Sequence, residues 1–153
     1  MKHPKYIIIL FIGIFFMACE KDDVCLQPMT PKAVIRFYDF TSQNDIKAVD
    51  NLTIIALPIK DTLYKNVNKD SIALDLNVNE NQTKFLFLSV NNKDTIVFNY
   101  QRNDVFVSKT CGYKTIFKQL NVLVIPDSDN WIKNITNQTE ITADTIADVK
   151  IYH

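Results

Sequence analysis

Beyond Pro31 no segment of this chain holds its apolar residues at helical spacing over the roughly ten positions a globular helix needs, and the clearest pattern is alternation at every second position. Ser71 to Val78 shows the rule most cleanly: Ile72, Leu74 and Leu76 point one way, Asp75 and Asn77 the other. Lys32 to Phe40 repeats it, with Ala33, Ile35 and Phe37 on one face and Val34, Arg36 and Tyr38 on the opposite one. Further strands are predicted at Leu52–Leu57, Thr62–Val67, Thr83–Val90, Thr95–Tyr100, Val105–Ser108, Tyr113–Phe117, Leu120–Ile125 and Thr145–Tyr152. Asn91-Asn92-Lys93-Asp94 and Gln101-Arg102-Asn103-Asp104 read as hairpin turns, and Trp131–Ile135 fits an edge strand or a short helix. Short strands at about ten-residue spacing predict an all-β fold, two antiparallel sheets packed as a β-sandwich of Greek-key or immunoglobulin-like outline.

A turn-rich fold needs residues that tolerate positive φ, normally glycine. The sequence has 2 glycines, Gly13 and Gly112. Asparagine is the next most tolerant residue, and it stands between predicted strands at positions 66, 68, 79, 81, 91, 92 and 103. The turns are therefore expected to be written in Asn. Gly112 is expected to mark a bulge or a close backbone approach.

Residues 1–18 have the layout of an export segment. Lys2, His3 and Lys5 precede an apolar run from Tyr6 to Met17, far short of the about twenty residues that span a bilayer. Phe16-Met17-Ala18-Cys19 resembles a bacterial lipobox, with Phe16 and Met17 in place of the commoner residues. That resemblance implies cleavage before Cys19 and acylation of its thiol and amine. Acyl burial is worth about 0.8 kcal/mol per methylene, so two or three chains hold a protein firmly without a spanning helix. Glu20-Lys21-Asp22-Asp23 resembles the surface-export tag of Bacteroidota lipoproteins; a solvated spacer is the plainer alternative. Residues 19–31 then read as a lipidated acidic tether ending in Pro28 and Pro31, and 32–153 as one domain.

The chain carries 17 basic and 17 acidic side chains, and loss of Lys2 and Lys5 with the export segment leaves a slight acidic excess. With no Lys/Arg cluster, nucleic acid is not an expected partner. Lipidation of Cys19 leaves Cys25 and Cys111. Two thiols in an exported chain are expected to pair, two separate thiols being the other reading. Closing so long a loop constrains the unfolded chain by roughly 4–5 kcal/mol in the chain-entropy model.

Lys60-Asp61-Thr62-Leu63, Lys69-Asp70-Ser71-Ile72 and Lys93-Asp94-Thr95-Ile96 share a pattern that Asp144-Thr145-Ile146 repeats in part. Physically this is turn chemistry entering a strand. It also resembles the Asp-Ser/Thr-apolar signal for O-glycosylation of exported Bacteroidota proteins, which would place glycans on Thr62, Ser71, Thr95 and Thr145. Asn-x-Thr triplets at Asn51, Asn81, Asn134 and Asn137 match eukaryotic acceptors, a pathway the lipobox argues against.

Chemistry is sparse. His3 leaves with the export segment and His153 ends the chain, which gives a Ser-His or Cys-His pair little to be built from. Cys25, Cys111 and His153 are too scattered to predict a zinc site. Asp127-Ser128-Asp129-Asn130 begins like a calcium loop, but Trp131 replaces the next oxygen ligand and no loop glycine follows, so a turn is expected. A lone glycine in the domain removes phosphate-cradling loops. No enzyme activity, cofactor or metal is expected. Trp131, Tyr38, Tyr64, Tyr100 and Tyr152 are the aromatic candidates for a glycan or peptide surface. Arg36 and Arg102, the only arginines, are candidates for carboxylate or phosphate contacts.

The run from Thr30 to Asp39 resembles a family of small Bacteroidota outer-membrane lipoproteins of unknown function. So do Cys111-Gly112-Tyr113, Asn130-Trp131-Ile132 and Lys150-Ile151-Tyr152, although His153 stands where an aromatic would be expected. The resemblance implies an outer-membrane location and a Cys25–Cys111 pairing, and no activity. The expectation is a non-catalytic binding or scaffolding lipoprotein, held at the outer membrane by its lipid and exposed at the surface rather than in the periplasm, with an envelope protein as partner. The alternative is a glycan-binding accessory protein.

Overall fold

The computed structural model describes Cys25 and residues 30–90, 92–142 and 146–153; the export segment, Cys19, Asn91 and Thr145 lie outside the described residues. Within them the chain forms nine strands and no helix. β1 (Ala33–Tyr38), β4 (Ser71–Leu74), β8 (Asn134–Asn137) and β9 (Val149–Tyr152) build a four-stranded sheet in the order β4-β1-β9-β8. β2 (Val49–Leu57), β3 (Asp61–Lys69), β5 (Gln82–Ser89), β6 (Asn92–Ser108) and β7 (Gly112–Val124) build a five-stranded antiparallel sheet in the order β3-β2-β5-β6-β7. Both sheets contribute to one core, so the architecture is a two-sheet, sandwich-like all-β fold.

Alternation decides which side chains enter that core. Ala33, Ile35 and Phe37 of β1 are fully buried against Ile72 and Leu74 of β4 and Val149 and Ile151 of β9. From the other sheet come Leu52, Ile54, Phe85, Phe87, Ile96, Phe98 and Phe117. Phe85 and Phe98 meet edge to face at 5.6 Å between centroids, Tyr100 and Phe117 at 4.8 Å, the geometry favoured by the ring quadrupole.

The wholly antiparallel expectation is corrected at one pair: β1 and β9 run parallel, with Ile35 opposite Val149 and Tyr38 opposite Tyr152. The last strand thus fills the slot beside the first, and Asp148, fully buried, accepts the N–H of Val34 at 2.8 Å to fix the register.

A second correction concerns length. Gln101–Asp104 is not a turn, because β6 runs through it. Arg102 lies opposite Phe117, Asn103 opposite Ile116 and Asp104 opposite Thr115, whose hydroxyl donates to Asp104 Oδ1 at 2.7 Å. The pairing with β5 ends at Gln82–Asn99, and residues 139–141 still bond β7 at Phe117 and Leu120, so residues 103–108 and their partners on β7 continue as a two-stranded ribbon, roughly 20 Å at about 3.4 Å per residue. Beyond the core this part of β6 meets solvent, and its polarity reflects that exposure. Likewise the two strands predicted at 113–117 and 120–125 are one, interrupted by a bulge where Gln119 takes φ 51°.

The asparagine reading holds only in part. Positive φ occurs at Asn51, Lys60, Asn66, Val90 and Gln119, with Gly112 at 69°. Asn51 and Asn66 lie inside β2 and β3, where successive register shifts mark bulges. Thr53 stabilises the second, its hydroxyl accepting the Asn66 N–H at 3.0 Å. Gly112 serves a left-handed turn position at the ribbon tip; a Cβ there would meet open space, so no close approach requires it.

Candidate binding surfaces

Two features occupy the same end of the molecule. The first is an open groove of about 660 Å³ between the β2–β3 tip, residues 57–61, and the link from β4 to β5, residues 75–81. Leu57, Ile59, Leu63, Leu76 and Phe85 supply its apolar lining, and Asp61, Glu80 and Lys84 its charged rim. Ile59 is 78% exposed at the lip of the groove.

One wall of the groove is held by β6. Tyr100 Oη donates to the Asn77 carbonyl at 2.8 Å and shares a 2.5 Å hydrogen bond with Thr83 Oγ1, which also accepts the Asn77 N–H. Burial pushes the Tyr100 phenol up from its ordinary value. Arg102 donates from Nε to Asn81 Oδ1 at 3.0 Å and also to the Val78 carbonyl. Its guanidinium is therefore engaged by the link from β4 to β5. On the other side of the link Asp75 pairs with Lys32 at 2.8 Å, which raises the Lys32 pKa.

The second feature is the ribbon tip. Cys25 and Cys111 are joined as a disulfide, Cα–Cα 5.1 Å, at the turn between β6 and β7. Nearer the core, Thr30 Oγ1 accepts the Thr115 N–H of β7 at 3.1 Å. Phe106 and Tyr113, opposite each other near the tip, pack edge to face at 5.3 Å between centroids while both remain exposed.

Trp131 and Arg36 lie elsewhere. Trp131 is half-buried beyond the Tyr38–Tyr152 end of the sandwich, in the connection before β8, with its ring edge-on to His153 at 5.5 Å. Its Nε1 is buried without a hydrogen-bond partner among the described residues, and so is Arg36 Nε on the outer face of the four-stranded sheet. The aromatic candidates are dispersed: Tyr100 is buried, Tyr64 bonds the Ala73 carbonyl at 3.2 Å, and Tyr38 and Tyr152 pair with each other on the outer sheet face. Trp131, Arg36 and Arg102 occupy three separate places.

Thr62 is exposed on β3, whereas Ser71 and Thr95 are half-buried at strand positions. Asp127–Asn130 forms an exposed turn, with Asn130 Oδ1 accepting the Asp127 N–H at 2.8 Å. Among the described residues no three His, Cys, Asp or Glu side chains gather as metal ligands. The groove and the tip were the features sequence reasoning missed. Exposed Ile59, Phe106 and Tyr113 were their only signal, and exposure cannot be read from residue type.

No curated protein and no solved structure matches the chain. A family model does match, over residues 51–153, from within β2 through β9. It takes in Cys111-Gly112-Tyr113, Asn130-Trp131-Ile132 and Lys150-Ile151-Tyr152, but neither the Thr30–Asp39 run nor Cys25. By that match the chain belongs to DUF6452, a family of unknown function.

Proposed function

We propose that the chain is an exported lipoprotein, cleaved before Cys19 and held by its acyl chains at the outer membrane, facing the cell surface. Its sandwich is a non-catalytic module that binds an envelope partner. The observation that supports this most directly is the bond between Cys25 and Cys111. Disulfides form and persist in oxidising compartments, as an exported chain requires, and this one secures the segment that directly follows the lipobox. The groove offers the partner an apolar cleft with a charged rim, the usual make-up of a binding site.

Cell fractionation with mass spectrometry tests the anchor. The mature protein is expected in the detergent-soluble membrane fraction, beginning at Cys19 and carrying the mass of two or three acyl chains, while C19S leaves that fraction. A wild-type chain found soluble with a free Cys19 thiol would refute the proposal.

A further inference from the structure

We infer that the tip of the β6–β7 ribbon is a second membrane contact, resting among lipid headgroups beside the acylated N-terminus; this builds on the lipid-anchor reading. Three observations converge on it. The disulfide ties the tip to Cys25, and five residues separate Cys25 from Cys19. At about 3.5 Å per residue that segment spans at most roughly 20 Å, so the tip cannot leave the neighbourhood of the bilayer once Cys19 is acylated. Phe106 and Tyr113 are 55% and 69% exposed on adjacent strands, forming one aromatic pair at that tip. Finally, Lys109 and Lys114 are the charged side chains of residues 105–114, with Asp104 just before them and the acidic Glu20-Lys21-Asp22-Asp23 run leading to Cys25.

An aromatic pair flanked by lysines suits a bilayer interface. The rings enter the headgroup boundary while the ammonium groups reach anionic phosphates, each lysine adding attraction near the surface. The ribbon also lacks cover of its own there, because β5 ends at Gln82 opposite Asn99. With the tip at the membrane, the ribbon holds the sandwich off the surface by its own length. The groove, at the ribbon end, then faces the leaflet, and Trp131, at the other end, points away.

That polarity makes the test internal. The full acylated protein is reconstituted in vesicles of phosphatidylethanolamine and phosphatidylglycerol carrying brominated acyl chains. Acylation is confirmed by mass first. In the wild type the sole tryptophan, Trp131, is expected to keep its emission. F106W is expected to add blue-shifted emission, most of which the brominated lipid removes, and Y113W repeats the measurement from the other strand. Unquenched emission from both variants of an acylated chain would overturn the tip's role and leave the anchor standing. Equal quenching of wild-type Trp131 would overturn the orientation. Absence of acyl mass would overturn anchor and tip together.

Discussion

His153 sets its imidazole edge-on to Trp131, 5.5 Å between centroids at 80°, with Nε2 3.2 Å from the Lys47 carbonyl. The same ring meets Phe37 of the core at 6.2 Å. His153 thus closes one end of the sandwich, packing as the aromatic expected there would. Burial pushes its pKa below the ordinary 6.5, outweighing the hydrogen bond to Lys47, which acts the other way.

The sign of the pH effect follows. Between the depressed folded value and 6.5 the unfolded chain binds more protons, so stability rises with pH across that window. Lowering the pH from 7.5 through 6.5 is therefore expected to lower the urea midpoint, the loss being complete once the folded value is passed. H153F should match or exceed the wild type at pH 7.5 and be flat between 7.5 and 5. Asp39 does not confuse the comparison. Its carboxyl is held well below the usual range by the Thr41 hydroxyl, then by Lys47 and the N–H groups of Ser42 and Thr41, so its contribution is lost only as pH falls below 3.8.

Cys25 and Cys111 allow a second test, through the unfolded state. They enclose a separation of 86 residues, for which the chain-entropy model gives roughly 4–5 kcal/mol, and native disulfides in small domains return about 2–5. C25S, C111S and the double substitution are expected to lose the same amount, measured by urea unfolding, because each opens the same loop. The two-sheet core excludes both residues and should keep its far-ultraviolet spectrum. Unequal losses, or a double variant much worse than either single one, would mean the thiols act separately.

What the sequence disclosed and what it hid divide along one physical line. Period-two burial is local, so the inward faces at Ile35 and Phe37 and at Ile72 and Leu74 could be read from neighbours in the chain. Pairing is not local. Nothing beside Val149 tells it to run parallel to Ile35, and nothing beside Pro58 tells it to face Leu76 across a groove. The ribbon was hidden for another reason: Gln101 to Asp104 are polar because no sheet covers them, and polarity on an uncovered strand looks like a turn. Trp131 and Arg102 were candidates by residue type alone, which says how a side chain can bind but not whether the fold has already engaged it.

Asp94 gives a third prediction. It is 1% exposed, and its carboxylate accepts the Ile132 N–H at 2.8 Å and Asn130 Nδ2 at 2.9 Å, binding the connection before β8 to β6. D94A strands the buried Ile132 N–H, at about 1–3 kcal/mol for such a group, while Asn130 Nδ2 keeps the Ile125 carbonyl at 3.2 Å. Stability should fall by roughly 1–3 kcal/mol, with hydrogen exchange at the Ile132 amide accelerated beyond that of Phe98. D94N, which keeps one acceptor oxygen, should lose less. A loss under about 0.5 kcal/mol in D94A would show that the connection is held by the burial of Ile132 alone.

The wall of the groove supplies the last. Tyr100 and Thr83 bond each other and both ends of Asn77, whose carbonyl and N–H would otherwise face an apolar site. Removing either hydroxyl leaves the other with a partner at Asn77, so Y100F and T83V should each cost about 1–2 kcal/mol. The double variant should cost less than their sum, because the shared bond is counted in both. Since Phe85 and Leu76 still fill the space below, the sandwich stays folded and the effect concentrates in the link from residue 75 to 81. A groove formed by that link should then show faster amide exchange at Asn77 and Asn79 in Y100F, with Ile35 unchanged. I59S, by contrast, alters an exposed side chain and should leave stability within about 0.5 kcal/mol of wild type. Ile59 can therefore be altered to test partner binding without unfolding the protein, whereas a Tyr100 variant would confound the two.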